Sequence, residues 1–370
     1  MSEPSSASPH PAPVVPPAAS DRVASTRPAV CDSEIPTLAA VLDSVELGKQ
    51  IGLLPASQWS WGVPHEVRVE VLKRQGALNC TLKIVVRTES GWHPLMGKVY
   101  ADEKRGLRVH HVMEALWRAG FTREAEFSIP QPIAYLPSLR LLLQEKVEGL
   151  EVKDIFKYGD QRLRAVAAER CARWLARFHA LAPLPGRTSD LEKMLARSER
   201  AWRLVSEPGG ALASKSAKLF ERLRVATVNL GAVPMCAGHG DFAPYNVIFA
   251  RERTVTFDFD LHDRADPARD VARFLIPLER LARRGLRSAG AQEGTARIFL
   301  DAYLASGGQR VEDQLPLHRA AACLRRAERA VKAGAFEWRE RTEAILDEGL
   351  RTLERPVGKG NGWLCSDGEN

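Results

Sequence analysis

The chain has 370 residues, of which 45% are hydrophobic and 27% are charged, and it carries a formal net charge of +7. These values are those of an ordinary globular protein with room for a large core and about two domains. The six cysteines lie far apart, with no CxxC pair and no Cys/His cluster, so neither a zinc site nor a disulfide framework is expected. The basic residues are spread along many segments, so we expect attraction to anions such as nucleotide phosphates but no nucleic-acid binding.

The two ends of the chain are predicted to be unstructured. Residues 1–35 are rich in Pro, Ser and Ala, and such a segment buries too little apolar surface to offset its ordering entropy. Residues 358–370 are expected to form a loose C-terminal tail. The first residues lack the pattern of a signal peptide, and no apolar run is long enough to cross a bilayer. We therefore expect a cytoplasmic protein with no membrane partner.

Residues 36–147 are predicted to form a strand-rich lobe that binds nucleotide. Segments enriched in β-branched residues alternate there with turn signals, which indicates a small antiparallel sheet: 67–72, 82–86 and 95–100. An amphipathic helix containing Val109 and Met113 follows. The short apolar run 141–144 is typical of a buried strand.

Residues 148–357 are predicted to form a helical lobe for catalysis and substrate binding. Apolar residues recur there at helical spacing in several stretches, at about 163–178, 190–205, 215–229, 269–285, 295–305 and 316–353. A strand-rich half before a helix-rich half predicts an α+β, two-lobed architecture with a cleft at the lobe boundary.

The segment 239–260 carries the clearest chemical signal. Strand-like residues on both sides of a short polar turn predict a hairpin between Val247 and Phe257. The start of the first strand and the end of the second are neighbours in a hairpin, so Asn246 and Asp258 should face one point. Amide, carboxylate and phosphate oxygens are ligands that Mg²⁺ accepts, and these two residues are therefore predicted to hold Mg²⁺.

Asp241 precedes the first strand of this hairpin and should lie close to the same point. It could accept the proton of an attacking hydroxyl, and this order of Asp, Asn and Asp is that of a phosphoryl-transfer site. Asp241 is therefore predicted to be the catalytic base. The plain structural alternative is a turn in which Asp241 is a cap and Asn246 merely begins a strand.

Further residues are candidates for a nucleotide site. Lys98 lies within a predicted strand, and its ammonium is expected to bridge nucleotide phosphates. The loop 73–79 contains Gly76 and could cover the phosphates, although a plain hairpin loop is an equally good interpretation. Backbone groups of Glu145 and Val147, at the lobe junction, are expected to bind the adenine edge.

Asp270 falls in the first turn of the helix that follows the metal-site segment. Asp266 and Pro267 are good residues with which to begin that helix. We predict that Asp270 has a structural role, in which it braces the catalytic loop by hydrogen bonds. His179, at the end of an amphipathic helix, is interpreted as a core histidine.

These residues resemble the aminoglycoside phosphotransferase and choline kinase family, whose fold is protein-kinase-like. The resemblance runs from about residue 66 to 305 and rests on Lys98, 142–149, 176–181, His239-Gly240-Asp241, Asn246, Asp258, Asp266-Pro267 and Asp270. It implies that Asp241 is the base, that Asn246 and Asp258 hold Mg²⁺ and that Lys98 contacts ATP. His239 is similar to the family's structural histidine. The family usually pairs this lysine with a Glu of the next helix, but Val109 stands at that position and Glu114 lies off the apolar stripe.

The resulting prediction is an ATP- and Mg²⁺-dependent phosphotransferase acting on a hydroxyl of a small molecule, such as an aminoglycoside-like antibiotic, an amino alcohol or a sugar. A protein kinase is disfavoured because Ala243 stands where those enzymes place a phosphate-contacting lysine. A catalytically weak nucleotide-binding pseudokinase is the other alternative. An aminoglycoside needs an acidic pocket, whereas the segment 308–355 mixes Arg and Glu nearly evenly. No oligomeric state follows from the sequence.

Overall fold

A computed structural model describes residues 34–230, 232–285 and 290–354, with the backbone alone described for 279–285 and 290–293. Residues 1–33 of the predicted N-terminal tail and the whole predicted C-terminal tail, 358–370, lie outside these ranges. Ile35, which belongs to the predicted tail, is fully buried in the core of the N-terminal lobe.

Strands and helices are numbered in chain order. The strands are β1 (Glu66–Gln75), β2 (Asn79–Thr88), β3 (Gly91–Tyr100), β4 (Phe127–Ser128), β5 (Pro132–Leu136), β6 (Leu141–Glu145), β7 (Leu150–Glu151), β8 (Thr188–Ser189), β9 (Cys236–Gly238), β10 (Val247–Ala250), β11 (Arg253–Thr256) and β12 (Asp263–Ala265). The helices are α1 (Leu38–Leu42), α2 (Ser44–Gly52), α3 (Glu103–Arg118), α4 (Val152–Tyr158), α5 (Gln161–Leu181), α6 (Leu191–Ser206), α7 (Gly210–Leu230), α8 (Ala268–Gly285), α9 (Gly290–Ala305), α10 (Leu315–Ala333) and α11 (Trp338–Glu354).

The predicted N-terminal sheet is confirmed, with antiparallel strands in the order β1-β2-β3-β6-β5. Successive side chains of a strand point to opposite faces, and the two faces of this sheet have different neighbours. Leu95 and Val99 of β3 pack into a core with α1 and α2, two helices that the sequence did not reveal. Met96 and Lys98 lie on the opposite face, which lines the cleft between the lobes.

The loop predicted at 73–79 is shorter than expected. Lys73 and Gln75 belong to β1, which pairs with β2 as far as Asn79, so the turn consists of residues 76–78. Gly76 has φ +49 and is exposed. The predicted bounds of this loop were wrong because the strand pairing, with a bulge after Val71, extends further than the turn signals suggest.

Helix α5 forms the centre of the C-terminal lobe. Asp160 caps its first turn by accepting from Leu163 N. Trp174 and Phe178 are fully buried, and their rings stack at a centroid distance of 4.9 Å. Trp174 also stacks on Phe242 of the catalytic loop, at 5.4 Å. The core of this lobe therefore supports the loop that carries the candidate base.

The segment predicted as helical over 316–353 contains two helices, α10 and α11. Gly334 ends α10 with φ +56, and its N–H bonds back to Ala330 O and Val331 O. A left-handed C-cap of this kind is typical of glycine. The helices α6, α7, α10 and α11 share a separate apolar core.

The predicted hairpin is confirmed, because β10 and β11 pair antiparallel with Val247 opposite Thr256. Its turn is Arg251-Glu252, with φ +55 at Arg251.

Among the described helices, none combines the length and the hydropathy that a bilayer crossing needs.

Phe274 of α8 should be a stability hot spot of the C-terminal lobe. It is fully buried, and its ring lies 4.4 Å from that of Phe299 and 5.1 Å from that of Phe242. Phe274→Ala should lower the free energy of unfolding by about 3–5 kcal/mol. Phe336→Ala is the matched control, because Phe336 is 91% exposed, and urea denaturation should find it within about 0.5 kcal/mol of wild type. Equal losses for the two variants would contradict the packing described above.

Candidate active site

The candidate catalytic loop, His239-Gly240-Asp241, joins β9 to the hairpin. Gly240 has φ +84, and a Cβ at this position would collide with the carbonyl of Leu261. Only glycine accommodates both the left-handed backbone and the close approach. Glycine at position 240 therefore lets the chain turn so that Asp241 lies beside Asn246, a residue that lines the cleft.

The carboxylate of Asp270 holds this loop through hydrogen bonds to its backbone. Its carboxylate accepts from His239 N at 2.6 Å and from Gly240 N at 3.0 Å. Burial by itself would raise the pKa of Asp270, but Arg269 and His179 hold it well below its usual range. The carboxylate is therefore ionised, and charge-assisted hydrogen bonds of this kind are among the stronger ones in proteins.

His239 is fully buried, and burial lowers the pKa of its imidazole. Its Nδ1 accepts from Asp241 N at 3.2 Å, while its Nε2 lies 3.2 Å from Phe257 O. Because a carbonyl only accepts, the hydrogen of the neutral ring is on Nε2. His239 thus ties the catalytic loop to the end of the hairpin.

Asp241 and Asn246 lie next to each other. The Asn246 side-chain amide donates to Asp241 O at 2.9 Å and lies 3.4 Å from Asp241 Oδ2. The other carboxylate oxygen, Oδ1, is 3.2 Å from Arg273 of α8. The two oxygens of Asp241 therefore have different neighbours, the hairpin on one side and an arginine on the other.

Asp258, directly after the hairpin, faces the other lobe. Its backbone is left-handed, with φ 72, and its Oδ1 lies 3.0 Å from Lys98 Nζ of β3. Burial by itself would lower the pKa of Lys98, but the carboxylates of Asp258 and Asp260 outweigh burial and raise it. This contact links the N-terminal sheet to the C-terminal lobe.

A second carboxylate, Asp260, also pairs with Lys98. Its Oδ1 accepts from Arg105 Nε of α3 at 2.9 Å, and Tyr100 OH lies 3.4 Å from its Oδ2. The side chain of Asp260 is 7% exposed. Lys98 therefore has a buried carboxylate partner, although it comes from the C-terminal lobe.

The helix after the lysine-bearing strand supplies no carboxylate to Lys98. Val109 is buried, as expected from the apolar stripe, and Glu114 lies 3.5 Å from His110 on its own helix. Arg105 of the same helix contacts Asp260, so α3 takes part in the site through a cation.

The cleft between the lobes has a volume of about 370 Å³. Its walls include Lys98, Tyr245, Asn246, Asp258 and Asp260. Asn246 and Asp258 offer an amide and a carboxylate oxygen to this space, the hard-oxygen donors that Mg²⁺ accepts alongside waters and phosphate oxygens. Within the described residues there is no cluster of three or more His, Cys, Asp or Glu that would form a closed metal cage, and Mg²⁺ at a phosphate site needs none.

The segment predicted to bind adenine lies at the end of β6. Glu145 N donates to Gln131 O at 2.9 Å, so this N–H is not available to a base. The Glu145 side chain is held by Arg253 at 3.1 Å. Val147 follows the strand, and in the described part of the chain its backbone makes no hydrogen bond to other backbone groups. Gly76, at the exposed turn, is not among the residues that line the cleft.

Three residues of the site have no role in the sequence analysis: Asp260, Arg105 and Arg273. The Asp-Phe-Asp spacing contained a signal for Asp260, because the buried Phe259 between two acidic residues leaves both carboxylates on the cleft side. Arg105 lies 155 positions from its partner and Arg273 lies 32 positions from Asp241. No local pattern connects residues so far apart.

Asp270→Asn should destabilise the protein by about 3–5 kcal/mol at pH 7, because it removes one of the two buried carboxylates that face Arg269 and places an amide where two N–H groups donate to a charged acceptor. The folded-state pKa of Asp270 lies below its unfolded value, so its stabilisation is complete above about pH 4 and declines as the pH falls below that. The difference in the free energy of unfolding between wild type and variant should therefore become smaller as the pH is lowered. Urea denaturation from pH 7 to pH 3 measures it, with the exposed Asp301→Asn as control; a gap under about 1 kcal/mol at pH 7 would show that Asp270 is no brace.

Comparison with known proteins shows the family and the fold of this chain. No curated protein sequence matches the chain. A choline/ethanolamine kinase family protein from Mesorhizobium loti has a similar structure, with 16% identity, a TM-score of 0.54 and coverage of 84% of this chain and 95% of that one. The choline kinase LicA from Streptococcus pneumoniae has 15% identity, a TM-score of 0.52 and coverage of 77% and 92%. A thermostable mutant of aminoglycoside phosphotransferase APH(4)-Ia, solved with ADP and hygromycin B, has 14% identity, a TM-score of 0.54 and coverage of 80% and 97%.

At these identities the structural likeness concerns the fold, and it confirms the two-lobed, protein-kinase-like α+β architecture. The sequence itself matches a family model described as "APH: Phosphotransferase enzyme family" over residues 84–312. This match covers well over half of the chain and includes Lys98, the catalytic loop and the acidic segment after the hairpin. The chain therefore belongs to the APH phosphotransferase enzyme family.

Proposed function

We propose that the protein transfers the γ-phosphoryl group of ATP to a hydroxyl of a small molecule. The observation that carries this proposal is the meeting of Lys98 with Asp258 across the cleft, beside Asn246 and Asp241. A cation and a metal-binding carboxylate at one point are what a nucleotide triphosphate requires. The ADP bound to the aminoglycoside phosphotransferase relative supports a nucleotide in this cleft.

In this proposal the nucleotide lies against the cleft face of the N-terminal sheet. Lys98 presents a point charge to the α- and β-phosphates. The backbone of Val147 and the carbonyl of Glu145 are proposed to meet the adenine edge. The turn that contains Gly76 follows Lys73 and Gln75, which line the cleft, and is proposed to lie near the phosphates. Asn246 and Asp258 would hold Mg²⁺, which when bound neutralises charge on the β- and γ-phosphate oxygens.

Asp241 is proposed to be the base. The acceptor oxygen forms a bond to the γ-phosphorus, the bond from that phosphorus to the ADP oxygen breaks, and the acceptor proton passes to the Asp241 carboxylate. Arg273 lies 3.2 Å from Oδ1 of Asp241 and holds this carboxylate in place. His239 and Asp270 are proposed to act structurally, by holding the loop that carries Asp241.

Two alternatives fit this geometry less well. A pseudokinase was suggested by the missing Glu of the helix after β3, yet Asp260 gives Lys98 a buried carboxylate. A protein kinase needs a docking segment for its substrate, whereas β12 begins at Asp263, only a short turn beyond Asp258. An acceptor of small size is the better proposal.

Asp241→Asn should lower kcat by roughly 10²- to 10⁴-fold, because the amide cannot accept the acceptor proton. The fold and the nucleotide site should persist, so the rise in melting temperature with Mg²⁺ and a non-hydrolysable ATP analogue should match wild type. The rate of ADP formation with an acceptor that the wild-type protein phosphorylates measures kcat. Asp301→Asn, at an exposed position, is the control. Undiminished turnover of Asp241→Asn would refute its role as base.

Asp260→Asn should weaken ATP binding about 10-fold or more, because it removes the carboxylate that fixes the positions of Lys98 and Arg105, so that Lys98 is no longer held where the phosphates would bind. Asp260→Glu should restore part of the loss. A positioning role predicts a raised KM for ATP with little change in the KM of the acceptor, which a general loss of stability would not produce.

Glu114→Gln is the matched control for this experiment, because Glu114 is the acidic residue of α3 nearest the position at which the family usually has its lysine partner. It contacts His110, so its variant should keep the wild-type KM for ATP. If Glu114→Gln showed the larger defect, the assignment of Asp260 would be wrong.

A further inference from the structure

Arginines from three helices of the C-terminal lobe gather next to Asp241. They are Arg197 of α6, Arg269 and Arg273 of α8, and Arg325 and Arg329 of α10. Burial, together with the charges of Arg273, Arg197, Arg329 and Arg269 in that order, lowers the pKa of Arg325 to about 9. We call these residues the arginine cluster.

The face of α10 that carries two of these arginines is set by a hydrogen-bonding contact. His318 Nε2 lies 2.7 Å from Asp266 Oδ2, at the start of α8. Arg325 and Arg329 follow His318 by seven and eleven residues, which returns them to nearly the same side of the helix. Arg273 likewise follows Asp266 by seven residues, and α8 packs on α10. The two helices therefore bring Arg273 and Arg325 together.

One member of the arginine cluster, Arg269, faces two carboxylates, although its Nε and Nη2 form no hydrogen bond within the described residues. Arg269 NH1 lies 2.6 Å from Asp263 Oδ1, and its Nε lies 3.5 Å from Asp270 Oδ1. These two carboxylates are buried and hold the catalytic loop and β12. Their ion pairs are with Arg269, while the charge of Asp263 also raises the pKa of Arg197 and that of Asp270 the pKa of Arg273, in both cases by less than burial lowers it.

The other arginines of the cluster have few carboxylate partners. Arg273 contacts the carboxylate of Asp241, while its Nε is buried and finds no hydrogen-bond partner within the described residues. Arg197 donates to Ser189 Oγ at 2.6 Å, which is a neutral partner. In the described part of the chain, neither Arg325 nor Arg329 forms a side-chain hydrogen bond or an ion pair.

Three acidic residues of α6, α10 and α11 form ion pairs with residues outside the arginine cluster. Glu328 of α10 pairs with Lys332, and Glu348 of α11 pairs with Arg326 at 2.8 Å. Glu199 of α6 pairs with Arg203. These carboxylates do not neutralise the arginine cluster. Because an arginine stays protonated in proteins, the buried arginines of the cluster repel one another, and a bound anion would relieve this repulsion. Arg329 is exposed, so solvent screens its charge.

The arginine cluster borders the cleft. Tyr245 is a cleft-lining residue, and burial raises its pKa to about 12, with Asp241 acting in the same direction and Arg273 and Arg329 against it. These charges therefore lie close to the phenol. An acceptor that presents its hydroxyl to Asp241 would have the rest of its body next to Arg273 and Arg329.

We propose that the acceptor is an anion: a hydroxyl compound whose carboxylate or phosphate-ester group is bound by Arg273, Arg325 and Arg329 while its hydroxyl faces Asp241. Guanidinium groups recognise both kinds of anion through paired N–H donors. A polycation such as an aminoglycoside meets repulsion at the same surface. This inference rests on the proposed phosphotransfer at Asp241.

The first test uses inorganic phosphate as the probe on the full chain. The melting temperature is measured with Mg²⁺ and a saturating non-hydrolysable ATP analogue, which occupies the nucleotide phosphate positions, and phosphate or succinate is then added against sodium chloride of equal ionic strength. At millimolar concentration either anion should raise the melting temperature by about 2–5 °C. The larger of the two shifts indicates whether a phosphate ester or a carboxylate is preferred.

The second test compares variants. The double variant Arg325→Gln, Arg329→Gln should lose the anion-dependent shift, and without anion it should melt at or above the wild-type temperature, because removing two unpaired charges relieves repulsion. Arg341→Gln removes an exposed charge from α11 and should keep the shift. An equal shift in the double variant, or none in wild type, overturns the anion site.

The third test is turnover on different acceptors. Gluconate, glucose 6-phosphate, glucose and glucosamine share a six-carbon skeleton and differ in charge, and an aminoglycoside is added as a polycation. Anionic acceptors should be preferred, and the double variant should lower kcat/KM for them by on the order of 10²-fold, with a far smaller change for glucose. Preference for glucosamine or the aminoglycoside overturns the inference and leaves the phosphotransferase proposal standing. If the ATP analogue itself fails to raise the melting temperature, the phosphotransferase proposal fails first.

Discussion

The buried carboxylate of Asp270 is the interaction on which the candidate site depends. It accepts the two N–H groups at the start of the catalytic loop, and it stays ionised because Arg269 lies beside it. The loop could not otherwise keep the left-handed turn at Gly240 that exposes Asp241. Stability and chemistry are thus coupled, since the charge that anchors α8 to the loop also sets the position of the proposed base.

A second constraint joins the two lobes. Lys98 belongs to the N-terminal sheet, while both carboxylates that it contacts, those of Asp258 and Asp260, follow the hairpin in the C-terminal lobe. Arg105 of α3 completes the arrangement from the N-terminal side. In this chain the helix after β3 carries the cation and the C-terminal lobe carries the anion, so closure of the cleft and positioning of Lys98 depend on the same contacts.

The two sides of Asp241 differ in electrostatic character. Toward the hairpin, oxygen atoms of Asn246 and Asp258 suit a metal ion and phosphates. On the side of α8 and α10, the positive charge of the arginine cluster exceeds the negative charge of the carboxylates near it. The proposed acceptor site therefore has a positive charge, and a nearly even mixture of Arg and Glu along 308–355 is a poor guide to it. Glu328 and Glu348 pair with Lys332 and Arg326, while Arg325 and Arg329 have no acidic partner among the described residues.

The sequence by itself determined the antiparallel N-terminal sheet, the helical lobe and the hairpin, because each depends on local periodicity and turn chemistry that a short window contains. It also singled out Lys98, Asp241, Asn246 and Asp258, whose roles remain predictions. Tertiary structure alone decided the partner of Lys98, the contact of Arg273 with Asp241 and the convergence of three helices on the arginine cluster. Those contacts join residues far apart in the chain, and which face of a helix meets which neighbour is set by packing against the whole core rather than by any local pattern.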